Sequence, residues 1–189
     1  MKIPSAFSVL TSFCALLLLG TSHGLAAAET APVTVAIAVI QPTTGNETAG
    51  VVTFTSTDGG VKAIADVSGL TPGKHGFHIH EFGDISDSAK AMKTGGHYDP
   101  EGTHHHALVG AGQPDSMLHH AGDMGNLVAD SAGKAHLEIV LQGVSLMGPA
   151  DPIVGRAVII HAKSDDGGQP VGNAGDRVGQ GVIGIAKAK

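Results

Sequence analysis

The sequence predicts an all-β domain of eight antiparallel strands, and three observations predict it. Short apolar and β-branched runs recur between turn signals, and no convincing helix interrupts them. The 28 glycines accompany an ordinary apolar fraction of 42%, which fits many tight turns in a packed domain. An antiparallel barrel or sandwich accommodates this pattern.

The predicted strands are 33–40, 51–57, 61–67, 75–81, 125–129, 135–141, 156–162 and 181–186. Asp58-Gly59-Gly60 turns the second run into the third, and Ser131-Ala132-Gly133 turns the fifth into the sixth. In the fourth run, GKHGFHIHEFGD, the two-residue repeat of a strand sends Phe77 and Ile79 to one side and His78 and His80 to the other. An apolar core on one side and two imidazoles on the other is half of a metal site. Two connections, 82–124 and 163–179, are far longer than a turn requires, and loops of that length in a compact domain are usually functional. Apart from His23 and His136, every histidine lies in or beside these two loops.

The N-terminus has the layout of a secretory signal peptide. Lys2 precedes an uncharged apolar stretch over 6–19, then Gly20 and the small residues Ala26-Ala27-Ala28, with cleavage expected before Glu29. The stretch is too short for a comfortable membrane span. Cys14 lies inside it, after Thr11-Ser12-Phe13, a poor lipoprotein signal. Cleavage would leave one domain over 29–189, exported to the periplasm or the extracellular space. It would remove the only cysteine and one lysine, taking the formal charge from −6 to −7. An acidic chain with few aromatics and no basic cluster argues against nucleic acid or an anionic membrane as partner.

The first long loop adds His97 in GGHYDP, the triplet His104-His105-His106, and His119-His120 followed by Asp123. The second opens with His161, directly after Ala157-Val158-Ile159-Ile160. Imidazoles suit copper and zinc alike, and a carboxylate among them leans toward zinc. The set holds enough ligands for two ions.

With these motifs the sequence resembles the copper/zinc superoxide dismutases. The likeness rests on GLTPGKHGFHIHEFGD, GGHYDP, HAGDMGN, VGRAVIIHAKSDD and GNAGDRVGQGVIGIA, in the family's order, over most of 29–189. It implies a Greek-key barrel, a homodimer, and dismutation of superoxide to oxygen and hydrogen peroxide. Copper would be held by His78, His80, His97 and His161. Zinc would be held by His97, His105, His120 and Asp123, with His97 bridging the ions and His105 chosen for lying eight residues after His97. Asp165 matches the aspartate that links a copper ligand to a zinc ligand. Arg177 matches the arginine that orients the anion beside copper. His97 and Arg177 are the expected catalytic residues.

The chemistry explains the pairing of ions. One electron must leave one superoxide and reach another, which copper can mediate and zinc cannot. A non-catalytic copper or zinc binding or delivery module is the alternative reading, but it would need neither the bridge nor Arg177.

The sequence also departs from the family. Gln180 stands where a disulfide cysteine is usual, and 85–96 holds no cysteine to pair with it. Losing such a bond costs about 2 to 5 kcal/mol, so zinc is expected to tie the loop down. The segment 166–173 is short, with Pro170-Val171 where lysine and threonine often attract the anion, so heavier reliance on Arg177 is expected.

Overall fold

The structure is a computed structural model that describes residues 32–103, 106–108 and 119–187. All eight strands form, in the order read from the sequence: β1 (Val35–Pro42), β2 (Ala49–Thr57), β3 (Gly60–Ser68), β4 (Gly73–His80), β5 (Asp123–Ala129), β6 (Ala135–Leu141), β7 (Ala157–His161) and β8 (Arg177–Ile185). Every pairing is antiparallel, in the order β5-β4-β7-β8-β1-β2-β3-β6. The end strands β5 and β6 also lie against each other, so the sheet nearly closes. The pairings of β3 with β6 and of β4 with β7 cross between non-consecutive strands, as a Greek key requires. The signal segment and cleavage site predicted over 1–28 lie outside the described residues.

Inward-facing side chains alternate along the strands, and Val52, Phe54, Phe77, Ile79, Leu127 and Ile183 fill the barrel. The last six residues of β4 and all of β7 are buried, so these strands are covered on both faces. Inside β7, Val158 and Ile160 join the barrel core. On its outer face Ala157 and Ile159 pack with Ala91 from the 82–122 connection. That connection is therefore seated on the barrel by apolar contact as well as by hydrogen bonds.

Two strand starts bear on the site, while most other strand ends shift from the prediction by one or two residues. β5 begins at Asp123, and β8 begins at Arg177 rather than at 181. Arg177-Val178-Gly179-Gln180 lacks a strong apolar run, but ladder partners on β7 and β1 hold it extended: Arg177 faces His161, and Gln180 faces both Ile159 and Gln41. Among the described residues a single 3-10 turn, Met92–Thr94, lies within the predicted loop and is too short to show a period.

These shifts matter because they bring the polar residues to one place. His78 and His80 end β4, Asp123 opens β5, His161 ends β7 and Arg177 opens β8. Bulges between Gly76 and His78, and between Ile160 and His161, interrupt the ladders beside these ends. Bulges re-aim side chains, and here they flank the residues that converge.

Candidate metal centre

His97 is brought to β4 by backbone pairing. It forms an isolated bridge with His80, Tyr98 donates to the Ile79 carbonyl at 2.9 Å, and Ile79 donates to Gly122 at 2.8 Å. Gly122 must be glycine, because a side chain there would run into the Ile79 carbonyl. The first loop is thus paired with Ile79 twice, through Tyr98 next to His97 and through Gly122 next to Asp123.

Two groups of side chains result: His78, His80, His97 and His161, and then His97, His106, His120 and Asp123. Within each, the ligand-capable atoms lie within 4.8 Å of one another, and His97 belongs to both. The hydrogen bonds select which nitrogen each ring offers. His78 Nε2 donates to Asp165 at 2.7 Å, His80 Nδ1 to the Gly95 carbonyl at 3.0 Å, and His161 Nδ1 to the Gly175 carbonyl at 3.0 Å. The opposite atoms, His78 Nδ1, His80 Nε2 and His161 Nε2, are buried and make no hydrogen bond. Buried polar atoms are rarely left so. Three lone pairs fixed in orientation and unpaired with any proton form a ligand set.

The second group surrounds one carboxylate oxygen. Asp123 Oδ1 has His97 Nδ1 at 2.8 Å, His106 Nδ1 at 3.0 Å and His120 Nδ1 at 3.4 Å. The His106 contact is out of hydrogen-bonding alignment, leaving that nitrogen without a partner. Asp123 Oδ2 is held by the backbone N–H groups of His120 and Ala107 at 3.1 and 3.3 Å. Three imidazole nitrogens and one carboxylate make a tetrahedral-type zinc donor set, and with Nδ1 on this side, His97 has Nε2 for the other group.

Asp165 joins the two groups. It accepts from His78 and, at 2.8 Å, from His106 Nε2. Asn126 holds its backbone in both directions, at 2.8 and 2.9 Å. Gly172, at φ 76°, closes over this link: a side chain there would strike the Asp165 carboxylate and the His106 ring. His106 is itself clamped by Gln169, which accepts from its backbone N–H at 3.0 Å and donates to its carbonyl at 2.6 Å.

The electrostatics divide the groups. Burial pushes His78 down to about 4 and His161 to about 3, and lowers His80 well below its usual range. These rings stay neutral, as ligands must. Burial also opposes charge on His106, but the Asp123 and Asp165 carboxylates that its two ring nitrogens face outweigh it and push that ring up to about 9. Burial disfavours the Asp123 carboxylate too, yet the surrounding His106, His120 and His97 hold it far below the ordinary range. A cage that raises a histidine's proton affinity in this way is built for a cation.

A cavity of about 480 Å³ opens onto the first group and is lined by His80, His97, His161, Lys90, Val171 and Arg177 among others. Arg177 braces the first loop across it. Nη1 donates to the Ala91 carbonyl at 2.6 Å and to Thr94 Oγ1 at 2.9 Å, and Nη2 donates to the Gly95 carbonyl at 2.7 Å. The loop has two further fastenings. Asp87 accepts from the backbone of Ala89, Lys90 and Met92, and the buried Gln180 amide donates to the carbonyls of Ile85 and Asp87 at 3.4 and 3.3 Å. Gln180 therefore reaches the loop that the missing disulfide would have secured.

The family model for copper/zinc superoxide dismutase (SODC) matches residues 48–183. The chain belongs to the copper/zinc superoxide dismutase family. A Cu-Zn superoxide dismutase of Paramecium bursaria Chlorella virus 1 is 42% identical over 146 residues, covering 73% of each chain. An extracellular Cu-Zn superoxide dismutase of Brugia pahangi is 36% identical over 161 residues, covering 80% of this chain and 76% of its own. The crystal structure of the clock protein EA4 superimposes with a TM-score of 0.70 at 38% identity, covering 83% of this chain and 98% of its own. As a superoxide dismutase the protein is an enzyme whose substrate is superoxide and whose cofactors are copper and zinc.

The copper/zinc superoxide dismutase motifs bring together His78, His80, His97, His120, Asp123, His161, Asp165 and Arg177 in the structure. Of the histidine triplet, His104 and His105 lie outside the described residues, and His106 is the described member that enters the second group. The sequence reading gave no role to Gln169, Asn126 or His75. His75 is buried with Nδ1 2.7 Å from the His161 carbonyl, and the GKHGFHIH run carried that signal as a third histidine. Gln169 and Asn126 had none, because only the fold brings them beside His106 and Asp165.

Proposed function

We propose that this chain dismutes superoxide at a copper held by His78, His80, His97 and His161, with His97 bridging to a zinc held by His106, His120 and Asp123. Copper supplies the alternation of oxidation state that takes an electron from one superoxide and gives it to the next. The carrying observation is that one buried imidazole, His97, belongs to both donor groups, with Nδ1 against Asp123 and Nε2 left for the other.

The roles of the side chains follow. His97 Nε2 is the nitrogen from which a proton reaches the reduced product, while Nδ1 stays on the zinc side. Asp165 sets His78 and His106 as tautomers with Nε2–H, leaving Nδ1 of each for the metals. Arg177 lines the cavity above the copper set and receives the anion there. The zinc ligand from the triplet is His106, supported by its clamp from Gln169 and its link to Asp165, rather than His105. Residues 1–28 act as an export signal, supported by their charge and apolar layout and by the extracellular relative. The assembled enzyme is a homodimer, a reading that rests on the family resemblance.

The test is superoxide consumption by protein loaded with copper and zinc, beside a His161→Ala protein. Metal-dependent disproportionation abolished by the substitution is expected. Tight binding of both metals without turnover in the unsubstituted protein would overturn the proposal.

A further inference from the structure

Copper reaches its imidazoles through the cavity lined by His80, His97 and His161, because β4 and β7, which carry His78, His80 and His161, are covered on both faces. Apart from the histidines, the charged side chains of that lining among the described residues are Lys90, Arg177 and Asp176, so its fixed charge is positive. A positive rim repels every hydrated cation, and an ion that must pass it needs a donor whose bond does not depend on charge. Thioether sulfur is such a donor: it is neutral, polarisable and among the soft ligands that suit Cu(I). Residues 29–189 hold no thiol, so methionine is the soft sulfur left to them. One methionine, Met92, stands in the cavity lining.

Met92 is held there by its neighbours rather than by its own packing. Ala91, at φ 55°, is buried with Ala157 and Ile159, and Thr94 is buried two residues further on. Arg177 donates to the Ala91 carbonyl and to Thr94 Oγ1, fixing the chain on each side of Met92. The Met92 N–H donates to Asp87 Oδ2 at 2.9 Å, and its carbonyl accepts from the Gly95 N–H at 3.2 Å. With its backbone tied in this way, the side chain belongs to neither core cluster and is exposed. In the same lining His80 and His161 are buried, and Nε2 of each has no hydrogen-bond partner. A soft donor at the mouth and two unpaired imidazole nitrogens deeper in form a path for a soft ion.

We propose that Met92 captures copper for the site: its thioether takes Cu(I) at the cavity mouth and passes it to His80 and His161. The inference rests on the copper reading above. The transfer exchanges a Cu–S bond for Cu–N bonds. No electron moves, and no proton is released, because the Nδ1 atoms donate to the Gly95 and Gly175 carbonyls and leave Nε2 of each ring as a lone pair. The same arrangement discriminates, since a harder ion gains less from sulfur and meets the positive rim unaided.

Two measurements on the zinc-loaded protein, before copper is added, test the proposal. In the first, silver(I), a soft monovalent probe of fixed oxidation state, is titrated into protein with isotope-labelled methionine methyl groups, past the point at which the imidazole set is filled. Met147 is the internal control, 57% exposed against 60% for Met92 but outside the cavity lining. The Met92 methyl signal is expected to move at lower silver than that of Met147. In the second, anaerobic uptake of Cu(I) from its acetonitrile complex is timed by quenching with a Cu(I)-selective chelator. Met92→Leu keeps the apolar bulk and removes the sulfur. It should slow Cu(I) uptake severalfold and leave Cu(II) uptake unchanged, and Met147→Leu should slow neither. Cu(I) uptake untouched by Met92→Leu would overturn the proposal, and so would equal slowing of both ions, which marks a change of shape and not of donor. Silver that left the ring signals of His78, His80 and His161 unmoved would instead overturn the copper reading, and the Met92 methyl would still report on capture.

Discussion

Both ring nitrogens of His106 face carboxylates, Asp123 on one side and Asp165 on the other, and its backbone is gripped by Gln169. Counting from His97 favours His105, whereas the proposed zinc ligand is His106, and counting through a loop has a physical weakness. A loop has no period, so which of three adjacent histidines turns inward depends on partners distant in sequence. His106→Ala is expected to abolish tight zinc binding, measured by competition with a colorimetric chelator, and His105→Ala to leave it close to normal; the reverse result would return the ligand to His105. Asp165→Asn should weaken zinc by about 10- to 100-fold. The same residues set a pH profile for protein stripped of metal. His78 and His161 take up protons near pH 6.5 when unfolded but only at about 4 and about 3 when folded. The unfolded chain therefore binds more protons below 6.5, and stability falls as the pH drops from 6.5 toward 4. His106, raised to about 9, contributes stability that is complete below 6.5 and is lost as the pH climbs to 9. Calorimetry of the chelated protein should show a melting temperature that declines on both sides of this region, and a flat trace between pH 6.5 and 4 would contradict the assignment.

Among the elements, the 82–122 connection carries the most consequence and was the least legible. Its length and its histidines marked it as functional, and the strand ends around it were readable to within a few residues. Its fastening was not, because each tie is a hydrogen bond between residues far apart in sequence: Gln180 to Ile85 and Asp87, Arg177 to Ala91, Thr94 and Gly95. The expectation that zinc ties the loop down is joined by these contacts within the protein. Gln180→Ala should lower the melting temperature of the metal-loaded enzyme by roughly 2 to 4 °C, the effect of about 1 kcal/mol. Gln180→Glu should cost more, because it sets a carboxylate against two carbonyl oxygens in a buried place. If neither variant moved the transition while chelation did, zinc alone would be the fastening.

Across the whole molecule, the strand period and the turn glycines were sufficient to read an antiparallel barrel or sandwich, the family resemblance pointed to the Greek-key barrel, and the histidine positions marked the end at which the two donor groups gather. β4 shows why: Phe77 and Ile79 face the core and His78 and His80 face the loops, as a two-residue repeat dictates. The early start of β8 escaped notice because Arg177 through Gln180 owe their extended form to the ladders of β7 and β1 rather than to their own composition. The clasp that Gln180 and Arg177 make has a chemical consequence of its own. A hydrogen-bonded clasp has no oxidised and reduced forms, and residues 29–189 contain no thiol. Activity and melting temperature are therefore expected to be the same with and without millimolar dithiothreitol once free copper is excluded, and a loss of either would reveal a dependence the sequence does not contain. The loop can close in a reducing or an oxidising compartment with no oxidant to complete it, and the peroxide this enzyme releases finds no cysteine in its barrel to attack.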